Sequence, residues 1–114
     1  MLTSSEIKFT VFLDENKIPE RIEWEAGDSD QGEKKTASSI MLSIWDENEK
    51  VTYGIDLWTK ELIIHHLNIH LHQTLLKMAD TYGRATNDFN SAEYIRSFAD
   101  EFAKKFDLIE KPAS

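Results

Sequence analysis

Residues 53–88 read YGIDLWTKELIIHHLNIHLHQTLLKMADTYGRATND, and the fold turns on where the apolar pattern of this stretch changes period. Val51, Tyr53, Ile55 and Leu57 alternate with Thr52, Gly54 and Asp56, the period of two that marks a strand. Beyond Trp58 and Thr59 the period lengthens. Leu67, Leu71, Thr74, Leu75, Met78 and Tyr82 lie on one helical stripe, which predicts a long helix from residue 61 or 65 to residue 83, ended or weakened by Gly83.

Towards the N-terminus, Ile7, Phe9, Val11 and Leu13 alternate with Lys8, Thr10 and Phe12, a half-buried strand turned by Asp14–Lys17. Ile22 and Trp24 alternate with Arg21, Glu23 and Glu25, giving a second strand and a hairpin, with Pro19 where a strand can begin. GDSDQGEKK, residues 27–35, is apolar-free and predicts a mobile loop. Ala37, Ile40, Met41, Ile44 and Trp45 fall at i, i+3, i+4, i+7 and i+8, which predicts a short helix capped by Thr36, although IMLSIW also reads as a strand. Towards the C-terminus, RATNDFN is a connector, and Asn90 with Glu93 forms a capping box for a last helix striped by Ile95, Phe98, Ala99, Phe102, Ala103 and Phe106. The expected architecture is α+β: a small antiparallel sheet of about three strands, a short helix before the third, and two long C-terminal helices packed on one face.

At 114 residues the chain fits a single domain, 1–114, with enough buried surface to need no metal or disulfide. A net charge of −8, with the 13 basic residues scattered, argues against nucleic acid and against anionic lipid, and for a basic or apolar protein partner. The absence of cysteine removes thiol chemistry and suits a reducing compartment. MLTSSEIKF lacks the charged start and apolar run of a signal peptide, and no window is apolar enough for a membrane span, so a cytoplasmic location is expected. A three-stranded sheet has open edges, which a homodimer would cover.

The conspicuous chemistry is HHLNIHLH, residues 65–72. His66 and His70 are four apart and share a helix face, as paired metal ligands do, but no acid or base stands between them and a third ligand is not in view. His65 and His72 are less specific, and solvated histidines on an amphipathic helix explain the run as well. Asp80 and Arg84 are spaced for an exposed ion pair. With Asp56, Trp58, Thr59, Lys60, Thr86, Asn87 and Asp88 they form a candidate interaction patch at the end of the third strand and the helix junction, though capping and turn duties suit the same residue types. At most one of Trp24, Trp45 and Trp58 is expected to be an exposed anchor, and the Phe98, Phe102, Phe106 ladder is expected in the core. With no phosphate loop, nucleophile elbow or cysteine, and with no catalytic constellation visible, neither an enzyme nor a cofactor is expected.

IDLWTK (55–60) and HQTLLKMADTYGRATND (72–88), together with FTVFLDENKIPERIEWEA (9–26) and SIMLSIWDENEK (39–50), resemble the gliding-motility-associated GldC family over nearly the whole chain. The resemblance implies a process, surface gliding of bacteria without flagella, and partners within that machinery. It does not imply a reaction. An accessory protein acting through protein–protein contact is the first expectation. A histidine-dependent metal-binding or hydrolytic protein, or a chaperone-like holder of an export client, are the alternatives.

Overall fold

The computed structural model describes residues 2–27 and 34–108. They form an α+β fold of two antiparallel sheets and two helices, divided into two compact units, Met1–Leu62 and Ile63–Ser114.

The first unit holds the strands. β1 (Ile7–Leu13) and β2 (Pro19–Ala26) make the expected hairpin, with β3 (Lys35–Ala37) on the other edge of β2. β4 (Ser39–Trp45) and β5 (Thr52–Trp58) make a second hairpin. Residues 37–45 are therefore not a short helix: they end β3 and make up β4, and five strands replace the expected three. The helical spacing is incidental, because β4 is apolar on both faces, Ile40, Leu42 and Ile44 on one and Met41 and Trp45 on the other. Lys35, expected in a loop, opens β3 opposite Trp24, and residues 28–33 of that loop lie outside the described residues.

Each turn is built on an aspartate. Asp14 Oδ1 accepts from the backbone N–H of Asn16 at 2.8 Å and of Ile18 at 3.0 Å, and Asp46 Oδ2 accepts from those of Asn48 at 3.1 Å and Glu49 at 2.6 Å. These side chains satisfy turn N–H groups that no strand reaches. Lys17 and Lys50 close the turns in the left-handed region, at φ 62° and 58°. Only Ser38 separates β3 from β4, and its carbonyl accepts from the N–H of Thr59 at 2.9 Å. The next residue, Lys60, donates its N–H to the Pro19 carbonyl at 3.2 Å, tying the end of β5 to the start of β2. Ile22 is the one large side chain wholly buried among the described residues.

The second unit is a helical hairpin, α1 (Ile64–Thr86) and α2 (Phe89–Lys105). Gly83 does not end α1. The helix runs one turn further: the Asn87 N–H still bonds the Gly83 carbonyl, and the left-handed backbone of Asn87 (φ 60°) then turns the chain out of the helix. α2 is capped by Asp88, not Asn90: its Oδ1 accepts from Ser91 N–H at 3.0 Å and its Oδ2 from the Ser91 hydroxyl at 2.6 Å. Small residues make the helix contact, Ala79 and Gly83 on α1 with Ala92, Ala99 and Ala103 on α2, all buried. The phenylalanine ladder is not core. Phe98 is 60% exposed, Phe106 is exposed and Phe102 half-buried, with the rings of Phe102 and Phe106 5.0 Å apart.

Candidate functional site

The nine residues of the expected patch fall into two clusters. Asp56, Trp58, Thr59 and Lys60 sit at the end of β5. Asp80, Arg84, Thr86, Asn87 and Asp88 surround the α1–α2 junction.

At the junction the polar residues mostly serve the fold. Asp80 does not pair with Arg84: its carboxylate receives Arg96 of α2 at 2.7 Å, and Arg84 Nε reaches only the Asp80 carbonyl at 3.4 Å. Arg96 also meets Glu93 of its own helix at 3.3 Å, so one guanidinium holds a carboxylate of each helix. Thr86 donates its hydroxyl to the Tyr82 carbonyl and accepts from Asp88 N–H, while Asn87 and Asp88 are the two caps already described.

The β5 cluster is different in kind. Thr59 is buried, whereas Trp58 is 60% exposed. Lys60 bridges Asp14 at 3.2 Å and Glu20 at 3.5 Å, linking the end of β5 to the β1–β2 turn. The hydrogen bond that Lys60 donates to Asp14 and the charge of Glu20 raise the Lys60 pKa, and the Ile18 and Asn16 N–H groups, with Lys60, hold Asp14 below its ordinary value against desolvation. Beside this cluster lies a cavity of about 340 Å³ lined by Ile18, Pro19, Asp56, Leu57, Trp58 and Lys60. Ile18 and Pro19 are the part that local reading of β5 missed, since only the Lys60–Pro19 closure brings them there.

Trp45 is 62% exposed, so two tryptophans, not one, face outward; Trp24 is half-buried with the Lys35 ammonium 5.5 Å from its ring centre. The β4–β5 register puts Ile40, Leu42 and Ile44 opposite Leu57, Ile55 and Tyr53, a face with no charged side chain. On it Ile44, Tyr53 and Ile55 remain about half exposed, at 49, 51 and 49%.

All four histidines lie on α1. Among the described residues no group of three or more His, Cys, Asp or Glu comes together with metal-binding geometry, so His66 and His70 gain no third ligand there. His72 Nε2 is buried with no hydrogen-bond partner among the described residues, and the rings of His65 and His66 lie 6.2 Å apart. No helix among the described residues is long and apolar enough to cross a membrane.

Two antiparallel sheets followed by a helical hairpin, with aromatic and apolar side chains left on the surface, define a small α+β protein with a candidate binding surface on its strands. The chain belongs to the gliding motility-associated GldC-like family, whose model matches residues 19–108. The match takes in β2 to α2 and begins after the FTVFLDENKI segment of the resemblance. No curated protein and no solved structure matches the chain.

Proposed function

We propose that this protein is a non-catalytic accessory component of the gliding machinery and acts by binding another protein in the cytoplasm. Family membership supports the process. The observation that carries the binding role is the uncharged face of β4–β5, where Ile44, Tyr53 and Ile55 stay half exposed side by side. Contiguous apolar surface of this kind marks interaction sites. Cross-linking and co-purification from the native gliding cell test the reading: wild-type protein recovers a partner that Ile55→Lys loses. Recovery of nothing above background by the wild type overturns it.

The same face favours a second reading, a holder of unfolded export clients, because an uncharged strand face accepts many apolar sequences. That version requires the protein to slow the aggregation of a denatured reporter, and to lose the effect with Ile55→Lys. A homodimer that pairs the open sheet edges is compatible with either.

A further inference from the structure

We propose that the cavity at the end of β5 is a docking pocket for an arginine side chain carried by a protein partner, a reading that rests on the binding role above and specifies its chemistry. Its walls supply three things that a guanidinium on a methylene stem requires. Trp58, 60% exposed, offers an aromatic face on which a planar cation stacks. Ile18 and Pro19 offer an apolar ledge for the stem. Asp56 offers a carboxylate that makes no hydrogen bond or ion pair among the described residues.

The charge balance selects the sign of the occupant. Lys60 lines the same cavity, but its ammonium is already shared by Asp14 and Glu20. Three carboxylates against one ammonium leave the locality with a net −2. Residues 1–62 carry fourteen Asp and Glu against seven Lys and Arg, a net −7 of the chain's −8, while residues 63–114 carry seven against six, a net −1. The cavity therefore lies in the half of the chain with nearly all the negative charge. A second copy would bring the same excess to the same place, so like charge disfavours self-pairing here and a cationic partner is favoured. Arginine is preferred to lysine because its flat, weakly hydrated cation stacks on the indole while forking onto a carboxylate.

The test titrates full-length, ¹⁵N-labelled protein with a blocked pentapeptide Val-Thr-Arg-Thr-Val and its counterpart bearing neutral citrulline in place of arginine, following the indole N–H resonances. The Trp58 signal, identified by its loss in Trp58→Phe, moves and saturates with the arginine peptide, and the citrulline peptide binds about tenfold more weakly. Asp56→Asn weakens the arginine peptide about fivefold, leaves the citrulline peptide unchanged and leaves the melting temperature unchanged. Equal affinity for the two peptides, or an Asp56→Asn variant that binds arginine like the wild type, overturns the proposal. So does a concentration-dependent dimer in sedimentation that buries Trp58. The peptides require no cellular partner, so failed capture from the cell removes the functional reading without deciding the pocket. A partner captured equally by wild type and Asp56→Asn removes the pocket and leaves that reading standing.

Discussion

Side-chain carboxylates stand in for missing backbone partners at Asp14 and Asp88, and both are held below the ordinary carboxyl pKa. At Asp88 the cause is the pair of hydrogen bonds from Ser91; at Asp14 it is first the Ile18 N–H, then Asn16 and Lys60, opposed by desolvation. A carboxyl whose pKa is lower folded than unfolded binds more protons when unfolded. Its stabilisation is complete above the unfolded pKa and is lost as pH falls through the folded one. The melting temperature therefore declines below about pH 4, and the Asp14→Asn, Asp88→Asn double variant shows a shallower decline, measured by circular dichroism. At neutral pH, Asp88→Ala lowers the melting temperature by about 5 °C through loss of the α2 cap. An i, i+3 cap was legible in the sequence, but not its register: Asn90–Glu93 and Asp88–Ser91 share the spacing, and only the backbone path from Asn87 selects the second.

Among the elements, those with one apolar face were legible. β1, β2 and β5 alternate, and α1 switches period cleanly. β4 was not, because apolar residues on both faces erase the alternation, and β3 exists only through its register with β2, which no local pattern encodes. The helix contact was misjudged for a related reason: stripe reading favours large side chains, whereas here the alanines are the buried residues, Phe98 and Phe106 are exposed and Phe102 is only half-buried. Two substitutions separate these effects. Ala99→Leu, at a wholly buried position, is expected to cost about 1–3 kcal/mol by overpacking. Gly83→Ala places a methyl 3.3 Å from the ring of Phe89, which is 64% exposed and free to give way, so the gain in helix propensity prevails and stability rises by up to about 1 kcal/mol. Chemical denaturation reads both.

For the whole molecule, the sequence was most informative about identity and charge, and least about surface. Phe98, expected in the core, and both Trp45 and Trp58, of which at most one was expected outside, lie substantially exposed, because burial depends on which elements meet and not on hydrophobicity alone. The native protein is expected to enhance the fluorescence of the neutral dye Nile red, and Ile55→Lys to reduce that enhancement without lowering the melting temperature. Equal dye binding by both proteins would place the exposed apolar surface elsewhere than β4–β5. Every sheet or helix pairing described joins elements adjacent in the chain: β1 with β2, β2 with β3, β4 with β5, α1 with α2. Such connectivity has low contact order, so little loop entropy precedes each pairing, and rapid folding follows. On the ribosome each hairpin can close as soon as its second member has emerged, and the Lys60–Asp14 clasp, spanning 46 residues, is left as a late closing step.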